Sequence, residues 1–600
     1  MKKLKLISLL CSLIMVLGCF SVFPAFAENF DETDYRHAGS GTVADPYQLT
    51  NKNFESFVNT AKNGTKTFEH TSFILMGDII LNDGENDGDA TDWANGARPS
   101  YTLDRPLIPY DYWGTFDGNG KTISGIYMVA DSSISRVGLF HGLRATSTSE
   151  IGTVKNLRLV NSYFESNVTS GENPMGSIAA QLVDRATVKN CYSEAILTNG
   201  SVSKVTSQQW MVAIGGIVGD ALMAASEWDR PTIEDCVFAG SILDSVGAAG
   251  GIVGRLRGTN WNSIVLANMQ IIDCINLGSV NCSLTTNNVG AIVGGVNYDG
   301  SVVRAYLNNC MNLNPDVPAD VLGNANHNNL RTTNFIVVEG LRQPDKTIYS
   351  NGTTNFTTSA YIPVTEISLS TFLKDGLNGW TNKPGYIPNP TTFDIPLVKL
   401  VNADTFNTVV NADTLGLAST GQNTSVRLSS TNPGLRFETY VSDTGVELLN
   451  QLKAAGATYA FNTYITAAKY FTEASYGITE LTPEALDNGV QAGSRYLVVP
   501  AADYLRKNGS GDNTFAGSVV NIHDNKMEYL ARGCVTVTLG GVSYDIYADW
   551  GISEAEAVAT VAQKALDDRE GTNQVVTDGG ETVLSPYTQA EYDCLEKLVK

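Results

Sequence analysis

One six-residue pattern is printed five times between residues 137 and 294: VGLFHG (137–142), MGSIAA (175–180), IGGIVG (214–219), AGGIVG (249–254) and VGAIVG (289–294). The first glycines, Gly138, Gly176, Gly215, Gly250 and Gly290, stand 35 to 40 residues apart. Self-similarity at a fixed period of that size belongs to stacked solenoids, in which each repeat buries its apolar face only against its neighbours. Read as a strand, the pattern alternates. One face is small, large, small around Phe140, Ile178, Ile217, Ile252 and Ile292. The other accepts His141 and Ser177. The first face is expected to point inward and the second to stay at least partly exposed.

A second column follows in step: VKNL (154–157), VKNC (188–191), IEDC (233–236), IIDC (271–274) and LNNC (307–310). Apolar residues at the first and fourth places break a period of two. The Asn or Asp between them tolerates a left-handed bend, and a bend there would turn both apolar side chains inward. Cys191, Cys236, Cys274 and Cys310 then share one core slot, which Leu157 fills in the first copy. Rungs about 4.8 Å apart leave vertical disulfides open, yet the leucine argues that the slot needs bulk, and buried thiols are expected.

The same glycines could suggest a dinucleotide fingerprint, but that motif needs a strand-to-helix turn with an acidic residue about twenty positions on. Five helix-free copies speak against it. The fold class expected is mostly β, a parallel β-helix with a separate C-terminal α+β module.

The flanking sequence narrows the family. GSGTVADPYQLTN, FILMGDIILND and WGTFDGNGKTISGIYM, followed by VGLF, VKNLRLVNS, VKNCYSEA and the GGIVG units, resemble exported bacterial proteins carrying GLUG repeats. The resemblance covers roughly Ala38 to Val401 and closes on LNGWTNKPGYIPNP. Long insertions between copies and weak patterning past Pro315 depart from it. It implies a right-handed parallel β-helix on a secreted or cell-surface protein, usually of a Gram-positive bacterium. Such repeats accompany several kinds of domain, including extracellular peptidases, whose zinc motif is missing here. The stretch FAGSVVNIHDNKMEYLARGCVTV resembles a C-terminal module of exported surface proteins that has no agreed activity.

The organisation expected is a signal peptide over 1–27, an N-terminal capping region over 28–112, the β-helix with an irregular closing segment over 113–401, a linker over 402–421 and the α+β module over 422–600. The leader has a basic start, an apolar core and the small-x-small site Ala25-Phe26-Ala27. A faint lipoprotein box at Val16–Cys19 is its rival. Cleavage takes three positive charges from a formal net charge of −22 and leaves −25, which disfavours nucleic acid and anionic membranes as partners. Seven cysteines remain, an odd number that argues against a disulfide framework. An amphipathic helix over 53–62 is expected to cap the solenoid. In the module, 443–455 reads as a helix stopped by Gly456, and capping boxes are expected at Ser553/Glu556 and Thr588/Glu591.

Candidate chemistry is sparse. His37, His70, His141, His327 and His523 show no metal-ligand spacing, and His141 is expected to be solvated. No Gly-x-Ser-x-Gly elbow is present. Asp83, Glu85, Asp87 and Asp89 in NDGENDGDATD mimic an oxygen-rich Ca²⁺ loop, or form a plain acidic loop. Asp235 and Asp273 could share a proton or Ca²⁺, or simply replace the turn-forming Asn190 and Asn309. Trp210, Trp228 and Trp261 lie in the insertions, where flat rings either stack on sugars or fold back over the solenoid. The function expected is a secreted or loosely surface-associated, non-enzymatic binding or adhesion protein, acting as a monomer on an extracellular glycan, host or cell-wall surface and touching a membrane only during export. A polysaccharide lyase or glycoside hydrolase with its site on the β-helix flank is the alternative.

Overall fold

The computed structural model describes residues 31–600 apart from 64–65, 67, 132, 146–148, 169–171, 200–211, 224–229, 246, 259–266, 283–288, 298–302, 315–321, 325–330, 340–363, 474–475, 477, 488–495, 503–504 and 508–510. The expected signal peptide, Gly64, His327, Trp210, Trp228 and Trp261 lie outside the described residues. Two compact units form, one from the chain up to Met311 with Val317–Phe335, the other built on Val364–Lys600.

The first unit is a parallel β-helix. Each turn visits four sheets in the same order. One turn runs Thr153–Val160, Tyr163–Ser166, Asn173–Gly176 and Ala179–Val183. The next runs Thr187–Ser193, Ile196–Asn199, Val212–Gly215 and Val218–Met223. Pairings between turns are parallel and, apart from shifts at Leu197/Thr198, Asp117/Lys121 and Ile108/Asp111, in register: Val188 lies on Val154 and on Ile233, Leu197 on Phe164 and on Ile242, Gly215 on Gly176 and on Gly250. Position by position, the core is stacked copies. Phe116, Val154, Val188, Ile233, Ile271 and Leu307 form one apolar column, each at most 1% exposed. Every such side chain contributes roughly 1.5–3 kcal/mol on burial.

The repeated glycine pattern is buried as expected, with Phe140, Ile178, Ile217, Ile252 and Ile292 at most 1% exposed. Its local shape is different. The pattern is a corner between two sheets: strands end on Gly176, Gly215, Gly250 and Gly290 and resume at Ala179, Val218, Val253 and Val293. Two bent residues reset the alternation. The face expected to be exposed is therefore buried too: Ser177, Ala179, Val218, Val253 and Val293 are all 0% exposed. Backbone bonds run through the bend, from Ile178 N to Ile217 O (3.1 Å) and from Ile217 N to Ile252 O (3.1 Å). Glycine is required by close approach. A Cβ on Gly215 would lie 1.8 Å from Val218 O and 2.5 Å from Gly254 N, both backbone atoms. The first copy is one residue tighter, because Phe140 pairs with Ala179 rather than Ile178.

The second column behaves as its sequence suggests. Asn156, Asn190, Asp235, Asp273 and Asn309 all adopt φ between 50° and 55°, the left-handed region that Asn and Asp tolerate best. The apolar residues flanking each bend are at most 1% exposed. Cys191, Cys236, Cys274 and Cys310 are free, fully buried thiols. Each points at the carbonyl two residues back, as Cys236 Sγ does to Glu234 O at 3.2 Å.

The helix Phe54–Lys62 buries Phe54, Phe57, Val58 and Ala61, and Phe57 stacks on Phe68 at 5.4 Å and meets Phe73 edge-on at 4.9 Å. Strands Tyr47–Leu49 and Phe73–Leu75 already pair in the long sheet, so the stacking begins inside the region expected only to cap it.

The second unit is antiparallel. Gly434–Val441 pairs with Ala418–Arg427 and Asn513–Val520, and Thr458–Ala467 pairs with Tyr496–Ala502 and Glu528–Leu539. Leu435, Phe437, Ile465, Val519, Val558 and Val561 join both sheets and a helix in one core. The helix Asp443–Ala454 buries Leu448, Leu449 and Leu452 and is followed by Gly456 at φ 89°. The Thr588/Glu591 capping box opens the helix Gln589–Val599. The Ser553/Glu556 box does not form: Ser553 sits in a 3-10 turn, Glu556 enters a strand, and the helix Val558–Asp567 starts on Ala557 without a side-chain cap. The linker expected over 402–421 is also corrected. Phe406, Val409, Val410 and Leu415 are 0% exposed, and short helices Phe406–Val409 and Ala412–Leu415 occupy it.

Candidate functional site

Three charged features mark the flank of the β-helix. The first is a ladder at the left-handed bends. Asn190 Nδ2 donates to Asn156 Oδ1 at 2.7 Å, and Asn156 Nδ2 donates to Asp117 Oδ1 at 2.9 Å. An amide both donates and accepts, so asparagines stack without cost. A carboxylate only accepts. Asp235 carries Glu234 beside it and Asp273 on the next rung, and burial, with Glu234 next, pushes its carboxyl up to about 6. Lys189 partly offsets this, with Nζ 3.1 Å from Glu234 Oε2 and 3.5 Å from Asp235 Oδ2.

The second is a pair of ionic clusters on the sheet that follows the corners. Asp220, fully buried, takes Arg255 Nε at 3.2 Å, Arg257 Nη2 at 2.6 Å and Gln181 Nε2 at 3.1 Å. Burial works to raise its carboxyl, and the two guanidiniums overcome that and hold it below the ordinary carboxylate value. Arg257 also reaches Glu172 at 2.6 Å. Nearby in the fold, Asp111 collects Arg144, Arg136 at 3.3 Å and His141 Nδ1 at 3.5 Å. His141 is thus half-buried against a carboxylate rather than solvated. The Asp220 cluster balances, Arg255 and Arg257 against Asp220 and Glu172, while at Asp111 two guanidiniums and His141 share one carboxylate.

The third feature is an open cleft of about 510 Å³ in which positive charge is left over. Leu103 docks on the edge of the strand Tyr127–Ala130, accepting from Val129 N at 3.2 Å and donating to Tyr127 O at 2.8 Å. This seals a strand edge that would otherwise be open and brings Arg98 and Arg105 beside Tyr127 and Val129, which share one strand face. Lys62 arrives from the last turn of the helix Phe54–Lys62. Asp104 is the acid of the lining. It is held by Arg105 at 3.1 Å and lies 3.9 Å from Lys62, and its hydrogen bonds to Arg105 keep its carboxyl below the usual range. Arg98 is exposed and has no carboxylate within ion-pairing distance among the described residues. Tyr127 is braced by its neighbours: it stacks on Tyr163 at 5.6 Å and meets Trp93 edge-on at 5.8 Å.

That bracing explains the acidic loop. Asp83 accepts from Asn86 N at 2.7 Å, Asp87 from Ser100 N at 3.0 Å, and Asp89 caps the helix Ala90–Ala94 through Thr91 N and Asp92 N. Glu85 is exposed. Asp83, Asp87 and Asp89 serve turns that seat Trp93, whose Nε1 donates to Asp87 O at 2.9 Å, over the tyrosines. No group of three His, Cys, Asp or Glu side chains among the described residues is placed to hold a metal ion, so the Ca²⁺ loop suggested by the spacing is not built. Sequence reasoning missed the cleft, since Lys62, Arg98, Arg105 and Tyr127 come from four separate segments with no spacing rule between them. Their signal is collective. A lining of three cations and one acid is net positive in a chain of net charge −22.

No helix among the described residues is long and apolar enough to cross a membrane. No family model matches the chain. No curated protein matches it. Among solved structures it is similar to one described as a "putative immunoglobulin A1 protease from Bacteroides ovatus", at 17% identity over 58% of this chain and 94% of that one, with a TM-score of 0.38, a likeness that carries no functional argument.

Proposed function

We propose that the chain is an exported, non-enzymatic recognition protein that holds an extracellular glycan in the Lys62–Arg98–Arg105 cleft, with the β-helix as its rigid scaffold. The observation that carries this reading is the cleft itself: an open concavity with an aromatic and aliphatic floor, rimmed by polar groups that converge on it. Ligand sites combine an apolar lining with a few placed polar groups in this size range. Export is part of the proposal, resting on the basic-apolar leader and on the resemblance of the repeats to secreted GLUG-repeat proteins. The ionic clusters on the seven-stranded sheet support scaffolding, since Asp111 and Asp220 are each paired with arginines within the fold.

A glycan array probed with the purified chain, followed by product analysis on each retained glycan, tests this. Retention without turnover is expected. Release of reducing or unsaturated sugar would replace it with the glycosidase or lyase alternative, and absence of retention on every glycan class would end the recognition reading.

A further inference from the structure

The cleft also states what kind of glycan it takes. We infer that it selects an acidic saccharide, with Arg98 holding a carboxylate or sulfate oxyanion beside Arg105 and Val129. This rests on the recognition reading above and sharpens it.

Three arguments converge. Across the chain, acids outnumber bases by 22, so a neutral glycan would need no cationic site and the mean surface field would repel an anionic one. The cleft reverses that sign locally, with three cations to one acid. Concave sites of one sign concentrate ligands of the other. Second, the cations are unequally used. Asp104 is bound by Arg105 through two contacts, Nε at 3.3 Å and Nη2 at 3.1 Å, and lies at the limit of reach from Lys62. Arg98 brings an uncommitted guanidinium, the group whose fork matches a planar carboxylate or a sulfate. Third, the wall behind these cations is packed and preformed. Leu103 is 2% and Tyr127 6% exposed, and Tyr127 is fixed by Trp93 and Tyr163, so little ordering is needed on binding. The Asp220 cluster, two guanidiniums against Asp220 and Glu172, offers no such surplus.

Titration calorimetry on the full chain decides the matter, using trigalacturonate as a carboxylate probe, a sulfated and carboxylate-free carrageenan tetrasaccharide, and neutral cellotetraose. Binding of either acidic probe, weakened by added salt and reduced about tenfold or more by Arg98→Gln, is the expected result, and which probe binds identifies the oxyanion. Arg98 is exposed, so Arg98→Gln is expected to leave the thermal unfolding midpoint unchanged, which separates lost binding from lost fold. Cellotetraose binding as tightly as both acidic probes, or indifference to Arg98→Gln and Arg105→Gln together, would overturn the acidic class and leave glycan recognition standing. Failure of all three probes on a chain that an array shows to retain no glycan would remove the recognition reading itself.

Discussion

Glycines crowd both units, but what crowds them differs. At the β-helix corners the missing Cβ would strike backbone: Val218 O and Gly254 N for Gly215, Val253 O and Gly294 N for Gly250. In the antiparallel module Gly434 and Gly445 also face backbone, Val519 O at 2.0 Å and Leu415 O at 2.1 Å, but at Gly533 and Gly517 a Cβ would strike side chains. A Cβ on Gly533 would meet Thr439 Oγ1 at 2.3 Å and Cγ2 at 2.5 Å, and one on Gly517 would meet Thr463 Cβ at 2.6 Å. Side chains can be exchanged by mutation and backbone cannot. The corner glycines Gly215 and Gly250 are therefore obligatory, because the atoms around them are backbone of their own corner and of the next rung. Gly533 and Gly517 are negotiable, because the atoms around them belong to exchangeable side chains. The same contrast runs through the cores. Val154, Val188 and Ile233 face one another in a column, whereas Phe437, Ile465 and Val561 meet once.

The contrast is sharpest for Gly215→Ala, which is expected to destabilise the β-helix by about 3 kcal/mol, the upper end of overpacking costs. Shrinking a neighbouring side chain should return none of it. Chemical denaturation followed by circular dichroism reads this, and a cost under about 1 kcal/mol would break the comparison. Gly533→Ala should cost about 1–2 kcal/mol. Adding Thr439→Ala should give a favourable coupling of at least about 0.5 kcal/mol in a double-mutant cycle, and strict additivity would show that the module's glycines are as fixed as the solenoid's.

The smallest effect concerns the ladder, where stacking copies a charge as readily as an apolar group. Asp235 has its folded carboxyl raised to about 6, by burial first and Glu234 second. A raised acid favours the protonated fold, so its penalty is absent below the unfolded value of about 3.9, grows as pH rises from there to about 6, and is constant above. Asp235→Asn should stabilise by about 1 kcal/mol at neutral pH, allowing for solvent screening of a half-buried group. It should make no difference near pH 4. A gain independent of pH would point to hydrogen bonding rather than charge.

Much of the solenoid could be read from residue order alone, because its physics is one-dimensional. The glycine spacing marked the rungs, and the Asn or Asp of the second column marked left-handed bends that the backbone adopts at all five places. The shape of the glycine segment could not be read. Alternation presumes a continuous strand, and the two-residue bend after Gly176, Gly215 and Gly250 resets it, which hides Val218 and Val253 as well as Ile217 and Ile252. The segment 402–421 misled through its Asn and Thr content, although Phe406, Val409 and Leu415 carry the apolar payload of packed chain. In the acidic loop, the spacing of Asp83, Asp87 and Asp89 resembles a ligand set, while local backbone N–H groups take those oxygens first. The cleft escaped for another reason: it gathers single residues from distant segments, and order along the chain records nothing of that.

The register of the rungs carries one further implication. Gly215 lies directly on Gly250, with Ala213 on Ala248 and Val218 on Val253, so excising or duplicating the stretch between two such glycines would rejoin like with like. Every residue of the cleft lies ahead of these interchangeable turns. Whole coils can thus be added to or taken from the solenoid without altering a residue that lines the cleft.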